Sequence, residues 1–349
     1  MTDSEPQTAA PTSAPRAVLG GVLMGLANLV PGVSGGTMIL AMGLYERFIA
    51  ALADVTRLRL RRDSLVFLGL VAIGGAAALV GLSGPAVYLV TEHRWIMYSL
   101  FIGMTLGGAP ELWRASRPLG PAPVLAFLLA FALMAGLAWG LRGANIPETT
   151  LTFVFMGVLG ASSMILPGIS GSYMLLIFGM YDVVVGALST SALRESPWES
   201  ARILGPVAVG AALGMALLSN LLKALLARWS AASHAALFGL LLGSVLGLWP
   251  FQEPKHPDLA RKPFRKGVTM LVQGAELEAV NARHELGWDA ARAAELRSTY
   301  AGMDGSELKQ RGDELVFFDP RASQVGLALG LFLGGFALTR FLGRRGSEA

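Results

Sequence analysis

Long apolar stretches recur along the chain and are separated by short polar or basic segments. Four of them approach or exceed the roughly 20 apolar residues that a helix needs to cross the hydrocarbon layer of a membrane. These stretches run from Leu65 to Val90, from Val124 to Leu141, from Ala201 to Ala227 and from Gln324 to Leu342. The pattern predicts an all-α, polytopic membrane protein.

Composition and charge support this prediction. Apolar residues make up 53% and charged residues 15% of the 349 positions, so one soluble core could not hide the apolar surface. The net charge of +4 is carried largely by arginines in short loops between apolar stretches, so we expect no nucleic-acid partner. The chain has no cysteine, and its histidines and acidic residues show no metal-ligand spacing, so we expect no metal and no cofactor.

An internal repeat accounts for much of the apolar region. A shift of 136 residues aligns positions 21–52 with positions 157–188 without a gap. Of the 32 aligned positions 13 are identical, whereas about three are expected by chance from the biased composition. The identities include Pro31 and Pro167, Gly32 and Gly168, Ser34 and Ser170, and Gly35 and Gly171. We therefore predict a duplicated unit.

Each half is predicted to contain an apolar stretch interrupted at Pro-Gly, followed by a long, a shorter and a final helix. The interrupted stretch forms either a re-entrant hairpin or two separate passes, and in both cases three further crossings remain. An odd number of crossings inverts the second copy relative to the first. The predicted fold class is therefore an inverted-topology internal repeat with two Pro-Gly-interrupted helical hairpins, re-entrant or broken.

Loop charges give an independent prediction of the orientation. With the N-terminus inside, the basic loops at 57–62, 114–117 and 223–228 and the C-terminal arginines all lie in the cytoplasm, as do both termini. The predicted divisions are a disordered cytoplasmic tail at 1–16, membrane repeat 1 at 17–141, membrane repeat 2 at 151–249 plus 324–343, and an extracytoplasmic insertion at 252–321. We expect the insertion to be partly helical from Glu276 to Arg297.

The candidate chemistry lies in the two Pro-Gly elements, at 31–37 and 167–173. Proline removes a backbone donor and glycine allows backbone conformations that other residues avoid, so we expect each helix to break there. A new helix then begins with residues that suit a cap, and its free N–H groups can bind phosphate or carboxylate without lysine or arginine. The predicted binding residues are Asn28, Pro31, Gly32, Ser34, Gly35, Gly36, Thr37, Ser163, Pro167, Gly168, Ser170, Gly171, Ser172 and Tyr173.

Acidic residues follow both elements at equivalent positions. Glu46 and Asp182 come twelve residues after Ser34 and Ser170, which is roughly 18 Å along a helix. With the serines near the middle of the membrane, the acids reach opposite interfaces, where they are candidates for proton coupling. The simpler alternatives are that these acids are merely solvated and that the glycines and serines serve only close helix packing.

A serine nucleophile is a weaker alternative for the same residues. The segment from Gly32 to Gly36 matches the Gly-x-Ser-x-Gly nucleophile pattern and also resembles the serine motif of rhomboid intramembrane proteases. A nucleophile needs a base within hydrogen-bond reach, however, and the candidates His93 and His234 lie at predicted helix ends. The duplication also produces two equivalent serines, whereas a protease needs one. We therefore predict that the protein is not an enzyme.

The paired motifs resemble those of one known family. Val-Pro-Gly-Val-Ser-Gly-Gly-Thr with Gly-x-Tyr-Glu downstream, followed by Leu-Pro-Gly-Ile-Ser-Gly-Ser-Tyr with Gly-x-Tyr-Asp, closely resembles the bacterial PopT family of polyprenyl-phosphate transporters. The resemblance covers Ala17 to Trp249 and the last helix. The insertion at 252–321 departs from the usual pattern of this family, and no role follows for it.

The resemblance implies a bacterial inner-membrane transporter that returns undecaprenyl phosphate from the outer to the inner leaflet for reuse in cell-wall peptidoglycan synthesis. Ser34 to Thr37 and Ser170 to Tyr173 would then line the phosphate site, and the partners would be the polyprenyl phosphate and membrane lipids. Two other classes remain open on the residues alone. One is a secondary transporter of a small soluble anion, and the other is a structural or regulatory membrane protein that acts through the insertion.

Overall fold

The computed structural model describes residues 13–30, 32–140, 146–188 and 190–344. These residues are mostly helical. In the N-terminal half the helices are α1 (Ala14–Asn28), α2 (Gly35–Ala41), α3 (Tyr45–Thr56), α4 (Arg62–Glu92), α5 (Arg94–Gly107), α6 (Ala109–Ala115) and α7 (Pro121–Gly140). They continue as α8 (Thr150–Ile165), α9 (Gly171–Ile177), α10 (Tyr181–Ala187), α11 (Thr190–Glu195), α12 (Pro197–Arg228) and α13 (Ser230–Leu246).

The remaining elements are short apart from the last helix. They are β1 (Gln252–Pro254), α14 (Pro257–Ala260), α15 (Lys262–Val272), α16 (Leu277–His284), α17 (Ala290–Thr299), α18 (Gly305–Gly312), β2 (Leu315–Phe317) and α19 (Ala322–Arg344). The described residues form two compact units. The first contains the chain up to residue 87, residues 98–249 and the chain from 327, and the second contains 88–97 and 250–326.

Within the described parts of the chain, four helices are long and apolar enough to cross a membrane, namely α4, α7, α12 and α19. They coincide with the four apolar stretches of the sequence, so the prediction of a polytopic membrane protein is confirmed at this level. Large apolar side chains on their outer faces are exposed, as on α4 at Val66, Ile73 and Val80. Such faces have no favourable place in water, and lipid is the solvent that suits them.

The first helix begins earlier than predicted. Helix α1 starts at Ala14, with Pro15 in its first turn, so the end of the predicted 1–16 tail belongs to a helix. Proline is favoured at this place because its missing N–H has no partner in a first turn and its backbone angle is already helical. The rest of the tail, residues 1–12, lies outside the described residues.

The two halves make the same helix contacts at equivalent positions. Gly21 of α1 packs against Val71 of α4, and Gly157 of α8 packs against Val207 of α12. A Cβ atom at either glycine would overlap the carbonyl group of its valine, so only glycine permits the approach. The same shift of 136 residues relates both partners of these contacts. The packing therefore repeats, while the inverted orientation of the halves stays a prediction.

The final helices of the two halves are exchanged. Gly103 of α5 packs against the backbone of Phe332 in α19, whereas Gly239 of α13 packs against the backbone of Phe127 in α7. Helices α5 and α7 are the shorter and the last helix of the first predicted repeat, and α13 and α19 are those of the second. The last helix of each half therefore packs against the shorter helix of the other half. The halves are thus joined by two equivalent helix pairs.

The second unit has a small core of its own. Buried apolar residues, including Leu259, Val268 and Val280, come from α14, α15 and α16. Strands β1 and β2 pair in an antiparallel register, with Glu253 opposite Val316. The segment predicted to be partly helical forms two helices, α16 and α17, because the chain turns between them. The predicted insertion falls within this unit, and its location outside the membrane stays a prediction.

Candidate functional site

Both Pro-Gly elements interrupt a helix. Helix α1 ends at Asn28 and α2 begins at Gly35, while α8 ends at Ile165 and α9 begins at Gly171. Within the breaks Gly32 and Gly168 have φ angles of 84° and 88°. This left-handed region strains residues with a Cβ, so a side chain at either position would oppose the break. Pro167 is buried in the second break, and Pro31 lies outside the described residues.

The two breaks are hydrogen-bonded directly to each other. The Ser34 hydroxyl of the first break donates to the carbonyl oxygen of Leu166 in the second, at 3.0 Å. In return, the Gly168 amide of the second break donates to the Thr37 hydroxyl oxygen of the first, at 2.8 Å. The four residues thus form a reciprocal pair of bonds between the repeats. Sequence analysis identified three of them but did not predict that the elements touch.

A close backbone contact accompanies these bonds. A Cβ atom on Gly36 would lie 2.8 Å from the carbonyl oxygen of Ile165 and 3.0 Å from that of Met164. Glycine at this position therefore lets α2 approach the end of α8. Asn28 lies on the other side of α2, since a Cβ on Gly35 would lie 2.9 Å from the Asn28 Oδ1 atom.

The two serines stand at the helix starts where residues that suit a cap were predicted. Ser34 and Ser170 occupy the cap positions of α2 and α9 in an extended conformation, but neither hydroxyl oxygen accepts a bond from a backbone amide of its own helix. Ser34 instead bonds to Leu166, and the Ser170 hydroxyl shares a hydrogen bond of 2.9 Å with that of Ser172. The first amides of both helices therefore have no side-chain cap from these serines.

The site residues are mostly buried and uncharged. Ser34 and Thr37 are 2% and 1% exposed, Ser170 is 6% exposed, and Gly35, Gly36, Gly168 and Gly171 are buried. Among the described residues of the two breaks, the polar groups at this contact are backbone amides, carbonyl oxygens and hydroxyls. Tyr173 is half-buried, and its hydroxyl donates to the Leu137 carbonyl oxygen of α7 at 3.0 Å.

Ser163 does not reach the other break in this structure. Its hydroxyl donates to the carbonyl oxygen of Gly160, one turn earlier in α8, at 2.8 Å. This bond satisfies a backbone acceptor near the end of the helix. The binding role predicted for Ser163 stays a prediction.

Glu46 has a partner that sequence analysis did not assign to it. Its Oε1 atom lies 3.2 Å from Nε2 of His234, at the start of α13. The two residues are 188 positions apart, so no local pattern could have paired them. Asp182 stands at the equivalent position in α10, and its side chain lies outside the described part of the chain.

The contacts of His234 also bear on the serine-nucleophile alternative. Its Nδ1 atom lies 2.8 Å from the Ser230 carbonyl oxygen, and its Nε2 atom faces Glu46. Among the described residues, no histidine is hydrogen-bonded to Ser34 or Ser170. The base that a nucleophile requires is therefore not in place at either serine.

A second polar cluster joins α3 to α12. The Lys223 ammonium lies 2.9 Å from Asp54, which also accepts a bond from the Ser64 hydroxyl at 3.2 Å. Beside it, the Asn220 amide donates to the Thr56 hydroxyl oxygen at 3.1 Å. Sequence analysis noted Lys223 only as a topology charge and missed this cluster, whose members lie far apart in the chain.

Comparison with known proteins adds a family and two named relatives. The VCA0040-like family, described as undecaprenyl phosphate translocase-like, matches residues 24–262. A polyprenyl-phosphate transporter of Vibrio cholerae is 30% identical over 189 residues, which are 50% of this chain and 60% of that protein. A polyprenyl-phosphate transporter of Staphylococcus aureus is 30% identical over 183 residues, or 49% of this chain and 64% of the relative.

The chain therefore spans less than two thirds of the length of each of these relatives. Both are named as transporters and neither as an enzyme. No solved structure matches the chain. The family match includes both Pro-Gly elements, so the site described above falls inside the shared region.

Proposed function

We propose a transport function from one premise: the chain belongs to the VCA0040-like family of undecaprenyl phosphate translocase-like proteins. The protein moves a polyprenyl phosphate across the bacterial inner membrane, from the outer to the inner leaflet, so that the carrier is reused in cell-wall synthesis. The phosphate group is the part that needs a protein. Taking a charged group through hydrocarbon carries a large desolvation cost, whereas the polyprenyl tail stays in lipid.

The phosphate is held between the two breaks. In the closed arrangement, the Ser34 hydroxyl and the Gly168 amide are used by Leu166 and Thr37 of the opposite repeat. When the breaks part, both donors become free to bond phosphate oxygens, and the Thr37 hydroxyl becomes a third. The uncapped amides of α2 and α9 add to this set, because helix starts carry partial positive charge. Transport then exchanges bonds between the repeats for bonds to the ligand.

The observation that carries this proposal is the reciprocal bonding of the two breaks. Equivalent elements from two repeats meet at one place, which is where an alternating-access transporter of inverted repeats holds its substrate. The repeated glycine contacts and the exchanged final helices support two matched halves around this place. We place both termini in the cytoplasm and the breaks near the middle of the membrane.

Direction requires an energy source, which we assign to proton movement. Glu46 and Asp182 follow the two breaks at equivalent positions and are the proton-coupling residues of the proposal. Glu46 has a side chain that is 72% exposed, so it can exchange a proton with water. An exchange assay with a pH gradient across the vesicle tests this part, and exchange that ignores the gradient in the wild-type protein would remove it.

The decisive experiment measures leaflet exchange of undecaprenyl phosphate in liposomes that contain the purified full chain. Ser34→Ala and Thr37→Val each remove one hydrogen-bonding group at nearly constant volume. A hydrogen bond to a charged group contributes about 1.5–3 kcal/mol, so we expect each variant to slow exchange roughly tenfold or more. Ser116→Ala is the matched control, since Ser116 is also buried and bonds only to the Trp113 carbonyl in its own segment.

Two results would contradict the proposal. One is exchange no faster than in empty liposomes when correct insertion has been verified. The other is equal slowing by Ser116→Ala and by the site variants. Free phosphate added as a competitor separates the lipid substrate from a soluble anion, because a carrier of small anions is inhibited at much lower phosphate concentrations.

A further inference from the structure

We propose that Glu46 and His234 together bind one proton, and that this shared proton joins α3 of the first repeat to α13 of the second. Neither residue belongs to the hydrogen bonds between the two breaks. Its existence follows from the hydrogen-bond geometry of the imidazole, while its use in transport rests on the proposed function. His234 is thereby a residue of the coupling machinery that neither the motifs nor the repeat indicated.

The position of one imidazole proton follows from the contact with Ser230. The Nδ1 atom of His234 lies 2.8 Å from the carbonyl oxygen of Ser230. A carbonyl oxygen only accepts, so Nδ1 must carry the hydrogen. The Ser230 hydroxyl lies farther from Nδ1, at 3.3 Å, and a bond from it would leave two lone pairs facing each other at the shorter distance.

The second contact then requires an additional proton. In a neutral imidazole with hydrogen on Nδ1, the Nε2 atom carries only a lone pair. A carboxylate is also an acceptor, so Nε2 and Oε1 of Glu46 would repel each other at their separation of 3.2 Å. A bond forms when the imidazole is protonated on Nε2 or when the carboxylic acid donates to it. Either way the pair holds one proton more than a neutral imidazole beside a carboxylate.

The burial of the two partners gives the proton an access route. The side chain of Glu46 is 72% exposed, whereas that of His234 is 11% exposed. A proton can therefore reach the carboxylate and pass to the imidazole across one hydrogen bond. The imidazole itself has little contact with the surroundings, so the pair is reached from the Glu46 side.

Several charged groups on the surrounding elements have partners of their own. Apart from the pair itself, the titratable or charged residues on α3, on α13 and on the elements packed against them are Tyr45, Arg47, Asp54, Arg62, Asp63, Tyr88, Glu92, Glu111, Arg114, Glu199, Arg202, Lys223 and Arg228. Three of these residues are cations that could otherwise pair with the Glu46 carboxylate. Arg47 stacks on Phe67, Lys223 pairs with Asp54, and Arg228 stacks on Trp229.

The remaining neighbours do not replace Glu46. Glu111 interacts with Arg16, Arg114 and Arg340, and Arg202 stacks on Trp198. Helices α2 and α7 contribute no ionisable side chain. Within the described residues, Glu46 is thus the carboxylate that faces this imidazole.

The repeat makes this proton site asymmetric. The shift of 136 residues relates Glu46 to Asp182, but it relates His234 to Tyr98. A phenol keeps its proton throughout the range in which an imidazole titrates. At the positions that the shift relates to this pair, the sequence thus has a carboxylic acid and a phenol instead of a carboxylic acid and an imidazole. A difference of this kind between otherwise matched halves can give a transporter its direction.

The test measures the distance between α3 and α13 as a function of pH. The sequence contains no cysteine, so spin labels can be attached to single cysteines introduced at Ala50 of α3 and Ala231 of α13 in the full chain. We expect the distance in liposomes to lengthen when the pH is raised from about 5 to about 9, across the range in which imidazole titrates. The reason is that loss of the shared proton turns the bond into a repulsion.

Two conservative variants and one control make the outcome specific. In Glu46→Gln the amide donates to Nε2 without an added proton, and in His234→Gln the amide donates to the carboxylate, so we expect the pH response to be lost in both. Lys223→Gln breaks a different contact of α3, the one with Asp54, so we expect this variant to keep the pH response. A wild-type distance that does not change with pH, or a response that persists in both pair variants, would overturn the proposal.

The distance measurement needs no substrate, so it separates the two hypotheses. If the wild-type protein shows the pH response, both pair variants lose it and no leaflet exchange occurs, the proton site stands and the proposed function fails. If exchange occurs while the distance ignores pH, the proposed function stands and the proton site fails.

Discussion

Replacing Gly36 by alanine tests whether the closed contact between the two breaks is as tight as the structure shows. The new Cβ would lie 2.8 Å from the Ile165 carbonyl oxygen, 3.0 Å from that of Met164 and 3.1 Å from that of Leu166. All three are backbone atoms at the end of α8, so they cannot turn away as a flexible side chain could. Helix α2 must therefore move away from α8.

The expected cost combines overpacking with the loss of nearby bonds. Adding a methyl group to a well-packed interior costs typically about 1–3 kcal/mol. The displacement also stretches the Ser34 to Leu166 and Gly168 to Thr37 bonds, each of which contributes about 0.5–1.5 kcal/mol. With both bonds lost, we expect Gly36→Ala to lower the free energy of unfolding by about 2–6 kcal/mol in total.

The assay is thermal unfolding of the purified protein in detergent, followed by tryptophan fluorescence. Gly69→Ala is the matched control, because Gly69 is also a helical glycine and a Cβ there would meet no atom within 4 Å. We expect this control to be neutral or to stabilise the protein by up to about 1 kcal/mol, since alanine favours helix. If Gly36→Ala unfolds at the same temperature as Gly69→Ala, the tight approach of α2 to α8 is refuted.

Two further predictions concern charged groups. Asp54→Asn weakens the contact with Lys223. Because the lysine side chain is 39% exposed, we expect the free energy of unfolding in the same assay to fall by only about 1 kcal/mol. A decrease as large as that of Gly36→Ala would contradict this prediction. In the second unit, burial, Lys266 and Arg283 lower the pKa of His284. The pKa of His284 is thus lower in the folded than in the unfolded state, so its contribution to the free energy of unfolding is present above about pH 6.5 and is lost as the pH falls. We expect His284→Gln to reduce this pH dependence when unfolding is measured at a series of pH values.

The sequence predicted those features that depend on nearby residues. The four long helices follow from uninterrupted apolar composition, and both helix breaks follow from adjacent proline and glycine. The bonds between the breaks and the Glu46 to His234 contact could not be predicted in this way, because they join residues more than 130 positions apart. The partner of the Ser34 hydroxyl could not be predicted for the same reason, since it is the carbonyl oxygen of Leu166 in the other break.

The exchanged final helices limit how the proposed opening can take place. Glycine-mediated backbone contacts join α5 to α19 and α13 to α7, and each pair contains one helix from either repeat. The repeats therefore cannot separate as two independent bodies without breaking both close-packed pairs. The contact between the breaks includes two hydrogen bonds and the approach of Gly36. Because closely packed interfaces resist continuous deformation, the opening that exposes the phosphate donors is expected at the breaks, with the two exchanged pairs moving as units.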